Sequence, residues 1–161
     1  MIKGYKCFNQ GLINVYGYKY EIGKIYHANG EIRFGNSGNG FHICTNLEDT
    51  LRYYDAMNEE VEIAIVTCYG NTHKYDDEYN GYYDMYACEY MIINKVLNHE
   101  EIINYALNLD GERIKRFISQ FKLTPEELAL FKQEFKNKEI VLDYITYYQE
   151  NDKEIFRRKL K

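Results

Sequence analysis

The sequence predicts an α+β protein: an N-terminal mixed or antiparallel β-rich domain with one helix, followed by a helical C-terminal part of three to four helices. Three observations lead there. Residues 61–69 form a β-branched, apolar run of the kind that fills a central strand. From residue 98 onward the apolar period becomes helical, as in Ile114, Phe117, Ile118 and Phe121. Strands and helices also come in blocks rather than in alternation, which argues against a doubly wound sheet. The expected boundary divides residues 1–97 from residues 98–161.

Taken in order, Ile2 to Phe8 reads as a strand, and Gly11, Asn14 and Gly17 punctuate a loop. Tyr20 to Ala28 alternates as a strand. Asn29-Gly30 and the resumed pattern in Glu31 to Phe34 predict a hairpin, because both turn residues tolerate positive φ. Phe41 to Cys44 is a further strand. Thr45 and Glu48 have capping-box spacing and predict a helix with Leu47, Leu51 and Tyr54 on one face. Gly70-Asn71 predicts a turn into Thr72 to Asp76, and Tyr86 to Leu97 contains the last strand. In the helical part, Asn98 to Glu101 begins one helix and Glu112 to Lys122 carries the next. Thr124-Pro125-Glu126-Glu127 joins a cap, a first-turn proline and an acid at the third position, with Leu128, Phe131 and Phe135 behind it. Ile140 to Tyr148 supplies the final stripe.

A chain of 161 residues buries a core without disulfides. Cys7, Cys44, Cys68 and Cys88 are far apart and lie in strand-like stretches, so reduced, buried thiols are expected and no metal. Met1 to Lys6 is too polar for a signal peptide, and no apolar run reaches membrane-span length. A cytoplasmic location is therefore expected, with no membrane partner. The net charge of −5 resides in residues 1–97, which hold 8 Lys/Arg against 13 Asp/Glu; residues 98–161 hold 12 of each. An acidic domain argues against direct nucleic-acid binding and suits a protein partner with a basic surface.

The densest constellation is the acidic, Tyr-rich stretch around position 80. Carboxylates beside phenol rings combine charge with large contact area at low entropic cost, so Asp76, Asp77, Glu78, Tyr79, Tyr82, Tyr83 and Asp84 are the expected partner-binding residues. The same stretch has oxygen ligands at calcium-loop spacing, but Ala87 stands where the bidentate Glu is needed. The Gly35–Gly40 loop lacks the Lys-Ser/Thr of a phosphate-binding loop. His42 sits on a strand beside that loop, Glu89 interrupts an apolar strand, and no nucleophile is paired with a base.

Residues 4–9, 20–26 and 40–46, followed by Tyr53-Tyr54, occur in an order that resembles an uncharacterised domain of bacteriophage and mobile-element proteins, sometimes fused ahead of pentapeptide repeats. That resemblance covers about the first 97 residues and implies a phage origin without an activity. A weaker similarity, to the ADP-ribosyltransferase fold, implies catalytic positions at Lys6, the His42-to-Thr45 stretch and Glu89, with NAD as cofactor. Here Lys6 stands where that fold carries Arg or His, and its Ser-Thr-Ser and Glu-x-Glu motifs are absent. The expected function is a non-enzymatic, phage-encoded protein that binds and inhibits a host protein such as a defence nuclease, with no cofactor. The alternative is an NAD-dependent ADP-ribosyltransferase acting on a host protein.

Overall fold

The computed structural model describes residues 1–34, 38–75 and 84–150. The chain forms two compact units, Met1–Asp55 with Glu59–Asn98, and Ala56–Asn58 with His99–Lys161. The first holds the strands and the second the helices beyond residue 98, an α+β arrangement.

Five strands make up the first unit: β1 (Ile2–Asn9), β2 (Ile25–His27), β3 (Phe41–Cys44), β4 (Val61–Lys74) and β5 (Met85–Val96). β1 lies antiparallel to β4 from Ile2 opposite Cys68 to Asn9 opposite Val61. The other edge of β4 pairs with β5. β5 in turn pairs along its second edge with β3 and, further on, with β2. β3 then meets β1 where Tyr5 faces Cys44, so β1, β4, β5 and β3 form a closed antiparallel ring. Closure removes open strand edges from the ring. At the seam Gly4 is required for close approach, since a Cβ there would lie 2.6 Å from the Cys44 carbonyl oxygen.

Alternation sends one face of each strand inward. Phe8, Ile43, Val66, Met91 and Ile93 are almost fully buried in one apolar cluster, and Tyr20 and Tyr26 join them. Burying each such side chain contributes roughly 1.5–3 kcal/mol. The rings of Tyr20 and Tyr26 meet edge to face at 4.8 Å, and the Tyr26 hydroxyl accepts a hydrogen bond from the Glu21 amide at 2.7 Å.

Four local expectations are corrected. The Asn29-Gly30 hairpin does not form: β2 spans three residues and pairs with β5, while Ile32 makes only an isolated bridge to Asn39. Gly23, at φ 82°, turns the chain before Ile25, so the alternating stretch from Tyr20 is not one strand. The predicted capping box at Thr45 is also absent. A 3-10 helix runs from Leu47 to Tyr53 behind Asn46, because the Thr45 hydroxyl is donated to Asp84 instead. Lastly, Gly70-Asn71 is a bulge within β4 rather than a turn: Tyr69 faces Tyr90 and Thr72 faces Cys88, leaving two residues opposite Glu89.

The second unit contains α1 (His99–Leu107), α2 (Gly111–Ile118), α3 (Pro125–Glu134) and α4 (Glu139–Ile145), continued by a π-helical turn, Thr146–Glu150. The box at Thr124 forms as its spacing predicts. The Thr124 hydroxyl accepts from the Glu127 amide, and the Glu127 carboxylate accepts from the Thr124 amide. Ile114, Phe117, Ile118 and Phe131 form the buried faces of α2 and α3.

Gln149 holds the irregular chain after α2. Its Oε1 accepts from the Leu123 amide at 3.0 Å, and its Nε2 donates to the carbonyls of Ile118 (2.6 Å) and Phe121 (2.7 Å). All of these groups are buried, so removing the amide strands three backbone partners. Gln149→Leu is expected to lower stability by about 3 kcal/mol, against about 1 kcal/mol for Thr124→Ala. Chemical denaturation of the two variants tests that order.

Candidate functional site

The β4–β5 hairpin carries the features nearest to a site. Residues 76–83, and with them the expected partner-binding residues Asp76, Asp77, Glu78, Tyr79, Tyr82 and Tyr83, lie outside the described residues. Both ends of that connection are described and tightly braced. The Tyr75 amide donates to the Met85 carbonyl at 2.8 Å, and the Thr45 amide donates to the Asp84 carbonyl at 3.0 Å. The Asp84 carboxylate accepts the Thr45 hydroxyl at 2.5 Å and lies 3.3 Å from the Lys74 ammonium. These contacts, the hydroxyl first, hold Asp84 below the usual carboxylate range. Asp84 therefore closes the hairpin root.

An aromatic patch stands on the outer face of the same root. His42 on β3 and His73 on β4 both face Ala87 of β5 in register, so the two imidazoles flank a small side chain. The Phe34 ring packs there, 4.6 Å from His42, 6.0 Å from His73 and 5.1 Å from Tyr75, with centroids as reference. The Phe34 amide donates to His73 Nδ1 at 3.3 Å. Burial, and then the nearby Lys6, lower the His42 pKa, so this surface His favours its neutral form. Phe34 and His73 were not expected from the sequence; the register that joins them to His42 depends on the bulge.

Glu89 occupies a second, separate setting. Its Oε2 accepts the Asn71 amide at 2.9 Å, and its Oε1 lies 3.2 Å from His27 Nε2. The amide first and the imidazole second lower its pKa. Tyr90 is sandwiched by parallel rings, His27 at 4.5 Å and Tyr69 at 4.8 Å, which binds β2, β5 and β4 together. Both carboxylate oxygens of Glu89 are thus engaged in the bulge.

Lys6 faces the lumen. It lies opposite the fully buried Ala64, and its ammonium is 5.9 Å from the Phe8 ring. It donates to the His42 carbonyl at 2.7 Å. The structure therefore joins Lys6 to the backbone of His42 but places Glu89 among different partners, so the three alternative catalytic positions do not converge. Among the described residues no three His, Cys, Asp or Glu side chains are grouped as a metal ion requires. No helix among them is long and apolar enough to cross a membrane.

Together these features define a small closed β-barrel with a braced, aromatic-rooted hairpin and a helical extension. The chain belongs to the family described as Domain of unknown function (DUF7666), whose model matches residues 2–104, the whole barrel and the start of α1. No curated protein matches the chain, and no solved structure does.

Two outcomes are expected at the bulge. Gly70 has φ 80°, and a Cβ there would lie 2.7 Å from Glu89 Oε2 and from Tyr90 Cδ2. Gly70→Ala should cost more than about 1 kcal/mol in denaturant unfolding. Glu89→Gln should also be less stable than the parent. A carboxyl whose folded pKa is depressed contributes stability that is full above its unfolded value, here 4.5, and is lost as pH falls through the folded value. The gap between parent and variant should be widest near neutrality and close at low pH in paired urea titrations.

Proposed function

We propose that this protein is a non-enzymatic interaction module whose β4–β5 hairpin docks on a basic surface of a partner protein. The supporting observation is the hairpin root itself. Thr45, Lys74 and Asp84 fix the two ends of the connection that carries Asp76, Asp77 and Glu78, and the Phe34, His42, His73 and Tyr75 rings stand beside it. A pre-ordered root lowers the entropic cost of docking. Aromatic area at the root of a segment whose sequence carries consecutive carboxylates suits a partner bearing Arg and Lys.

A surface meant for phosphates is the chemically natural target, since an acidic segment competes for it directly. In its narrowest form the reading is a phage-encoded inhibitor seated in the nucleic-acid groove of a host defence nuclease.

Size-exclusion chromatography and calorimetry with basic host nucleases test this reading. A complex should form that weakens steeply with salt. Replacing Asp76, Asp77 and Glu78 together by Lys should weaken it by at least about tenfold, and Phe34→Ala should weaken it with the barrel intact. Binding that is indifferent to the charge reversal, or no complex with any basic partner, would end the proposal.

A further inference from the structure

β2 lies outside the closed ring. It pairs with β5 alone, and no strand meets its other edge among the described residues. The Ala28 amide donates to the Glu89 carbonyl at 2.8 Å and Tyr26 lies opposite Met91, so Tyr26 and Ala28 turn their backbone groups toward β5. Alternation then turns the amides and carbonyls of Ile25 and His27 to the open edge. Such an edge is a template for a further strand, and charge or proline commonly guards it. This one presents Ile22 and Ile25, which are 57% and 58% exposed.

The side chains define what an added strand must carry. On the outer face two cross-strand rows run from β4 through β5 and stop at β2. Thr67, Ile92 and Ile25 share one row by register. Tyr69, Tyr90 and His27 form the other, a continuous ring stack with spacings of 4.8 and 4.5 Å. His27 lays one ring face on Tyr90, and its other face is turned to the open edge, with the side chain 45% exposed. The contact of its Nε2 with Glu89 Oε1 at 3.2 Å fixes the ring in that attitude. An antiparallel strand would continue both rows with an aromatic residue beside His27 and an aliphatic residue beside Ile25. The residue between them would lie beside Tyr26, whose ring carries the Lys24 ammonium at 5.3 Å, so a carboxylate there meets a cation. A second copy of the chain does not fit. β2 paired with itself through these backbone groups sets Ile25 against His27 in both directions and breaks both rows.

We propose that β2 is a strand-addition site for an extended segment of a partner protein with the pattern aromatic, acidic, aliphatic. The segment is held antiparallel by the amides and carbonyls of Ile25 and His27. β2 joins β5 at residues 90–92, away from the braced root at Met85, and the site needs neither the hairpin residues nor their partner.

The ligand for the test is the acetylated, amidated pentapeptide Thr-Tyr-Glu-Ile-Thr, titrated into the isotope-labelled full chain and followed by backbone amide resonances. The amides of Ile25 and His27 should shift most. N-methylation of the peptide's tyrosine and isoleucine nitrogens removes both donors and should weaken binding at least about tenfold. Exchanging the tyrosine and the isoleucine in the peptide should weaken it as well. Ile25→Pro removes an edge amide that β5 does not use, so it should abolish the shifts while the barrel's own resonances are retained. No shift at millimolar peptide would overturn the proposal. So would equal binding of the N-methylated or exchanged peptide, or a dimer of the chain that Ile25→Pro abolishes.

Discussion

β5 hydrogen-bonds along both of its edges, and the geometry of the barrel depends on how it does so. One edge follows β4, while the other serves β3 first and β2 afterwards. A strand alternates its faces, yet Cys88 and Met91, three residues apart, both lie in the buried cluster. The phase must slip once between them. The slip coincides with the two-against-one bulge at Gly70-Asn71. A bulge takes a backbone amide out of the ladder, and a free amide needs another acceptor. Glu89 supplies it from directly opposite and uses its second oxygen to hold His27 on β2. Ring closure, bulge, bound amide and docked edge strand therefore form one chain of cause.

The lumen shows the complementary constraint. The strand face of β1 that carries Phe8 also carries Lys6, because residues two apart share a face. An ammonium in that position needs an acceptor, and the His42 carbonyl provides one without adding a charge. Burial lowers the Lys6 pKa, and the carbonyl satisfies the ammonium without offsetting that cost in full. The same strand, β3, turns the His42 ring outward to Phe34 while its backbone faces Lys6. One short segment thus couples the interior to the outer patch.

Much of this was legible in the sequence, and the failures share a cause. The strands at residues 2–8, 61–69 and 86–97 and the box at Thr124 read correctly because period and capping chemistry are local. Gly70-Asn71 and Asn29-Gly30 have turn composition, but each is decided by the strand that lies alongside. β4 continues past Gly70 because β5 reaches on to Met85, and β2 joins β5 rather than its sequence neighbour. Thr45 misled for the same reason. Its hydroxyl had a near partner at Glu48, and the fold gave it a distant one at Asp84. The patch of Phe34, His42, His73 and Tyr75 has no sequence spacing at all, since long-range register assembles it from two strands and the segments at Phe34 and Tyr75.

Charge bears most directly on what the outer surface offers a partner. Several carboxylates of the first unit already have structural work: Asp84 and Glu89 as described, Glu62 on the Leu12 amide, and Glu48 and Asp49 fully buried. Amides, hydroxyls or side chains of the same unit hold Asp84, Glu89, Glu62 and Asp49 in place. Asp76, Asp77 and Glu78 are consecutive in the sequence, and like charges reinforce one another over distances comparable to the Debye length, about 8 Å at physiological salt. Net charge spread evenly would only keep the chain soluble. The same number of charges gathered in one run creates a local potential that orients an encounter.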